Sequence, residues 1–197
     1  MSDATQSRRA FLVSGALAAG TLVAADAVFA QEAVPTPECR GRSEPTVRQT
    51  EGPFFKPSSP ERSDLREPGL SGRALELSGL VLTRACKPVA GALVDLWHAD
   101  HEGDYDEKGF RCRGHQFTDA QGRYRFTTVM PAVYPGRTRH FHVKVQAPRR
   151  PVLTTQLYFP NEAENRHDPI FRRELVMRVA NAGEMVSAKF DFVLDLR

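Results

Sequence analysis

The sequence predicts an all-β protein: a β-sandwich with long loops and an N-terminal arm. Three observations predict it. Short runs with strict two-residue alternation recur along the chain, as in Tyr124, Phe126 and Thr128 set against Arg123, Arg125 and Thr127. Fourteen Gly and fourteen Pro punctuate 197 residues, a frequency that suits many turns. After residue 30, no stretch carries a 3.6-residue apolar pattern through three turns. Apolar residues at 41% and charged residues at 26% are ordinary globular values, which exclude a disordered or fibrous chain. A net charge of +3 with acids and bases interspersed is too weak and too mixed for a nucleic-acid surface.

The elements follow in order. Residues 31–75, rich in Pro, Arg and Ser without periodicity, predict an extended arm, and residues 76–197 the sandwich domain. A first strand falls at 75–82. A second falls at 89–97, with Ala92, Val94 and Leu96 on one face and Leu93, Asp95 and Trp97 on the other. The charged, Gly-containing run 98–114 predicts a long loop. Asp119-Ala120-Gln121-Gly122 predicts a turn leading into the strand at 123–129. Further strands are expected at 138–145, 153–159 and 189–197, the last with Phe190, Phe192, Leu194 and Leu196 on one face.

Residues 1–30 read as an address. Arg8 and Arg9 precede Phe11-Leu12, residues 10–25 carry no charge, and Val28-Phe29-Ala30 offers small residues before Gln31. That is the charged, apolar, small-residue order of a secretory signal, and the arginine pair resembles a twin-arginine signal read by the Tat translocase. The expectation is export to the periplasm or beyond, with cleavage after Ala30; an N-terminal anchor or a packed helix is the alternative reading. Net charge is unchanged by the loss of Arg8, Arg9, Asp3 and Asp26. Of three cysteines, Cys39 and Cys86 can pair outside the cytoplasm and leave Cys112 free, although spacing alone does not set the connectivity.

The sharpest local feature is His140-Phe141-His142 inside an expected strand. Side chains at i and i+2 share a face, so two imidazoles can converge on one metal ion; a packed pair is the plainer alternative. Tyr134 lies in the turn before that strand and Tyr105 in the long loop. Each could equally be a half-buried ring whose hydroxyl meets the backbone.

Set in order, these blocks resemble the intradiol ring-cleavage dioxygenases, of the protocatechuate 3,4-dioxygenase and catechol 1,2-dioxygenase type. The matching blocks are Thr50-Glu51-Gly52-Pro53-Phe54-Phe55, Cys86 to Ala92, Val94-Asp95-Leu96-Trp97-His98-Ala99, and Gly103-Asp104-Tyr105. They continue through Arg113 to Asp119, Gly122 to Phe126, Tyr134 to His142, and Thr154-Thr155-Gln156-Leu157. The resemblance covers about residues 46–197, and its specific part is the Tyr, Arg and His pair at fixed spacing; Ala132 stands where many members have Gly. It implies Fe(3+) held by Tyr105, Tyr134, His140 and His142, with Tyr134 the donor that departs when substrate binds. It also implies Arg137 beside the bound ring and Gln156 as a further pocket residue. The substrates would be a small aromatic diol and O2, the product a muconate-type diacid. Phenolates are hard anionic donors suited to iron(III), whereas two His and one carboxylate is the common iron(II) arrangement.

A competing reading is a non-catalytic prealbumin-like binding module, which shares the strand and turn motifs but has no use for the five site residues. A zinc hydrolase would call for a carboxylate base and a different ligand set. His98, His101, His115 and His167 read as loop or supporting residues, Trp97 as core, and Arg149-Arg150 as a solvated turn. Arg137, Arg139 and Lys144 would suit an anionic substrate, or the latter two would face solvent. The family's catechol-type members carry a helical region that pairs subunits, for which this chain has no room; a homo-oligomer stays open.

Overall fold

The structure is a computed structural model that describes residues 44–196. The expected signal segment and Cys39 lie outside the described residues. Cys86 is disulfide-bonded and Cys112 is a free, buried thiol.

The alternating runs become strands as their patterning requires. The strand β1 spans Ala74–Thr83, β2 Leu93–Trp97, β3 Arg113–Phe117 and β4 Arg123–Val129. β5 covers His140–Gln146, β6 Leu153–Tyr158, β7 Arg178–Ala182, β8 Met185–Lys189 and β9 Phe192–Leu194. One sheet has the order β4-β1-β8-β7, with β9 also pairing β1; the other has the order β3-β2-β5-β6 and is antiparallel throughout. This is the predicted sandwich. Its core lies between the sheets: Leu75, Leu77, Tyr124, Phe126 and Val186 meet Val94, Leu96, Phe141, Val143 and Leu157. Each buried side chain of this size contributes about 1.5–3 kcal/mol, and the facing rows make the pairing register hard to slip.

Three departures from the sequence reading have physical causes. Residues 113–117, expected in a loop, form the edge strand β3. Its inward positions are Gly114, where a Cβ would stand 2.6 Å from Leu65 Cδ2, and Gln116, whose side chain bonds the Arg125 backbone N–H and carbonyl. Neither is apolar, so the alternation is invisible. Residues 89–92 stay outside β2 because Gly91, at φ 66°, turns the chain there. Of the expected strand 189–197 only Phe192–Leu194 forms, as β9; β7 and β8 at 178–189 were not anticipated, and β8 is parted from β9 at the point where the chain crosses Gly79. There Phe190 N–H donates to Ser78 O, Tyr124 hydroxyl donates to Phe190 O at 2.7 Å, and Leu80 N–H donates to Asp191 Oδ1. A Cβ on Gly79 would lie 1.7 Å from Phe190 O.

Two features position the site. The segment before β1 crosses the outer face of the four-stranded sheet. Gln49 N–H donates to Thr154 O on β6, and Glu61 bridges His115 on β3. The connection from β2 to β3 closes over the same face: Asp100, 2% exposed, accepts the N–H of Glu102 and Asp104, pairs with Arg111, and through its carbonyl accepts Ala132 N–H. Asp100 therefore ties the Tyr105 loop together through its carboxylate and joins it to the Tyr134 turn through its backbone carbonyl.

His98, at the end of β2, is a fold residue. Its Nδ1–H donates to Ala99 O and its Nε2 accepts from the Thr128 hydroxyl, and burial lowers its pKa from 6.5 to about 4.

Two outcomes follow for stability. Gly79→Ala is expected to cost about 3 kcal/mol in urea unfolding, because the obstacle is backbone and cannot rotate away. The unfolded chain protonates His98 near pH 6.5 and the folded protein only near pH 4, so the folded state binds fewer protons between those values. Stability is therefore full above pH 6.5 and falls as pH drops toward 4, by on the order of 3 kcal/mol for this imidazole. Urea titrations at pH 7 and 4.5 should show a shallower pH slope in His98→Asn than in the wild type.

Candidate metal centre

The register of the four-stranded sheet builds the site. Trp97 is paired with Arg113 on one side and His142 on the other, and His142 with Gln156. These four residues form one rank across β3, β2, β5 and β6, on the face away from the core. His140 stands two residues from His142 on the same face, paired with Tyr158. Trp97, expected in the core, is buried on this outer face instead, stacked on His142 with ring centroids 5.0 Å apart and planes 9° apart.

His140 and His142 converge. Their Nε2 atoms are 3.1 Å apart, and the Tyr105 hydroxyl is 3.4 Å from His140 Nε2. Thr138 O accepts from His140 Nδ1 at 2.6 Å, so Nδ1 carries the proton and Nε2 presents a bare lone pair. Burial lowers the His140 pKa from 6.5 to about 4, and burial with the neighbouring His140 pushes His142 well below its ordinary value. Both rings are neutral donors at physiological pH. His142 Nδ1 is buried without a hydrogen-bond partner.

The phenols complete the group. Tyr105 and Tyr134 rings lie 5.9 Å apart at 78°, and Phe54 stacks on Tyr105 at 4.4 Å and 11°. Burial raises the Tyr105 pKa well above 10, against the pull of the Arg137 and Arg113 cations. Tyr134 is half-buried. Gly52, at φ 72°, lies over His142, where a Cβ would stand 3.1 Å from Cε1; a side chain here would be both strained and in the way.

The donor set fits a metal ion. Two imidazole nitrogens bound to one first-row cation, with bonds of about 2.1 Å at about a right angle, stand about 3 Å apart; the separation here is 3.1 Å. Among the described residues no three His, Cys, Asp or Glu side chains gather, and the oxygen beside the imidazoles is the Tyr105 phenol, with the Tyr134 ring next to it. That is a hard donor set of the kind iron(III) prefers.

Arg137 is held from two sides. Its Nε donates to Asp168 Oδ2 at 2.9 Å and an Nη to Gln156 Oε1 at 2.6 Å. The Asp168 side chain is fully buried and also accepts the N–H of Thr138 and Ile170. Gln156 donates to Thr50 O and accepts from the Tyr158 hydroxyl. Sequence reasoning named Arg137 and Gln156 but missed Asp168, Tyr158, Phe54 and Gly52 as site components. Asp168 sits in a loop with no motif of its own, and Gly52 and Phe54 were visible only as part of a matching block. Arg139 and Lys144 are not spare cations: they pair with Glu162 and Glu51 at 3.0 and 2.5 Å. His115 bonds the Ser59 hydroxyl and His167 is exposed, so neither joins the centre.

Comparison with known proteins now bears on this geometry. A family profile described as Dioxygenase matches residues 50–196. The chain is 32% identical over 152 residues to the protocatechuate 3,4-dioxygenase beta chain of Burkholderia cepacia, covering 62% of this chain and 65% of that one. It is 33% identical over 138 residues to catechol 1,2-dioxygenase 2 of Acinetobacter lwoffii, covering 57% of this chain and 50% of that one. The chain thus spans between half and two thirds of the length of these curated relatives. The solved dioxygenase domain of a dioxygenase and carbohydrate-binding protein fusion from Streptomyces sp. SirexAA-E shares 54% identity and a TM-score of 0.76, covering 78% of this chain and 100% of that domain. These relatives are named as dioxygenases and do not favour the non-catalytic module. With the fold, the His and Tyr donors and the profile match in agreement, the chain belongs to the intradiol dioxygenase family.

Proposed function

We propose that the chain is an exported iron(III) intradiol dioxygenase, opening a catechol-type ring with O2 between its two hydroxylated carbons to a muconate-type diacid. The observation that carries the reading is the convergence of two neutral imidazoles with the Tyr105 hydroxyl, the Tyr134 ring standing beside Tyr105. Iron(III) held by the Nε2 atoms of His140 and His142 and the phenolate oxygens of Tyr105 and Tyr134 would bind both oxygens of a deprotonated diol and make its ring reactive toward O2.

The side chains supply the rest. Thr138 O holds the His140 tautomer, so that its lone pair faces the centre. To hold the metal Tyr105 would have to lose a proton that its burial favours keeping, so metal uptake would release a proton from this oxygen. Tyr134, half-buried, is the donor that the family likeness assigns to depart, and its oxygen can accept a proton from the entering diol. Asp168 and Gln156 hold the Arg137 guanidinium against reorientation. A fixed cation of this kind stabilises negative charge developing on the substrate ring without reorganising during the reaction. Phe54, Trp97 and the bare backbone of Gly52 keep water from the imidazoles.

The arginine pair and apolar run of residues 7–25 support export through the twin-arginine translocase; N-terminal sequencing of exported protein should start near Gln31. Iron-loaded protein is expected to be burgundy to red, from phenolate-to-iron charge transfer, and to consume O2 with a catechol. A protein that stays colourless after iron loading rejects the reading. Tyr105→Phe is expected to weaken the colour and the O2 uptake together; no change in either removes Tyr105 from the donor set. Arg137→Gln should keep the colour while kcat falls about 10²-fold, as for loss of a charge-stabilising donor.

A further inference from the structure

Arg113 carries a buried charge that no carboxylate among the described residues contacts directly. It opens β3, is 1% exposed, and bonds two backbone carbonyls: Nε donates to Asp106 O at 3.1 Å and an Nη to Phe54 O at 2.6 Å. Its other Nη is buried without a partner, and no carboxylate among the described residues pairs with it. The Asp106 and Asp95 carboxylates act on this charge from beyond ion-pair distance, and the cation sits on the rank that also carries Trp97 and His142.

Both carbonyls it holds belong to the surroundings of Tyr105. Asp106 is the next residue along the loop, and the Phe54 ring lies flat on the Tyr105 ring. The planar fork of a guanidinium is suited to reach two carbonyls from different segments at once, which an ammonium on a single-point stem does poorly.

We propose that Arg113 is a positioning residue for the Tyr105 donor: it clamps the loop beneath that ring and the Phe54 cover above it, and its charge favours the phenolate of the loaded site. The assignment rests on the iron(III) reading given above. It predicts that removing the guanidinium weakens the grip on iron through Tyr105 and through no other ligand.

The test titrates iron(III) into metal-free wild type, Arg113→Met, Arg113→Lys, Tyr105→Phe and the Arg113→Met/Tyr105→Phe double variant, reading the visible band and bound iron. Amide hydrogen exchange of residues 104–108 is followed in the metal-free proteins. Arg113→Met should lower iron affinity by about 10–100-fold, the usual scale for residues that orient ligands, and should speed exchange at 104–108. Arg113→Lys should fall between Met and wild type. The double variant should bind iron within about threefold of Tyr105→Phe, because the clamp then has no donor to place. Arg113→Met affinity within about twofold of wild type, or a double variant weakened beyond Tyr105→Phe by the full Arg113→Met factor, overturns the assignment. If Arg113→Met does not fold, Arg113→Lys decides: unchanged affinity and exchange overturn the assignment, and a loss in both supports it. Wild-type protein that takes up no iron(III) is a separate result, which rejects the iron reading and the assignment with it.

Discussion

The pairing register of β2 with its two neighbours is the constraint on which the site depends. It sets Arg113, Trp97, His142 and Gln156 in one rank, so that every component is reached by a side chain from a different strand. Trp97 fixes the ring plane of His142, Gln156 holds Arg137, and Arg113 reaches the segment of Tyr105. A shift of one residue in any pairing would turn that strand's contribution into the core. The packing of Phe141, Val143 and Leu96 against the other sheet thereby guarantees the chemistry on the opposite face.

The donors themselves come from two kinds of structure. The imidazoles ride on a central strand, which is stiff, while the phenols ride on loops that have to be tied down. Asp100 does the tying for both, accepting N–H groups within the Tyr105 loop and offering its carbonyl to the Tyr134 turn. The neutral state of both imidazoles and the reluctance of Tyr105 to ionise arise from the same burial. A dry pocket favours lone pairs and opposes phenolates, and the cations Arg113 and Arg137 lean the balance back.

Much of the fold was legible because most strands carry one apolar and one polar face. β1, β4, β5 and β6 appeared within a residue or two of their observed ends. β3 was not legible because its inward positions are filled by Gly114 and Gln116, chosen for close approach and for a bond to the neighbouring edge. The split between β8 and β9 depends on the contact of Phe190 with Gly79, more than a hundred residues upstream, which no local pattern contains. In the site, His140, His142, Tyr105, Tyr134 and Arg137 were readable through spacing and resemblance. Asp168 and Arg113 were not, since each acts on a residue brought near only by folding. Trp97 was assigned to the wrong side: its burial was right, but its cover is the N-terminal arm and not the second sheet.

The arm that passes over the face has a kinetic consequence. Gln156 bonds Thr50 across a sequence separation of 106 residues, and Gly52 meets His142 across 90. Contacts that distant form only after the intervening chain has closed a large loop, and such closure slows folding. The sheet can assemble from nearer neighbours first, β2 with β3 and β5 with β6, leaving the arm to dock late. Until then the imidazoles stand open to water and to any soft or borderline ion in reach. The order of assembly, and not only the side chains gathered at the end, would then bear on which ion the imidazoles meet first.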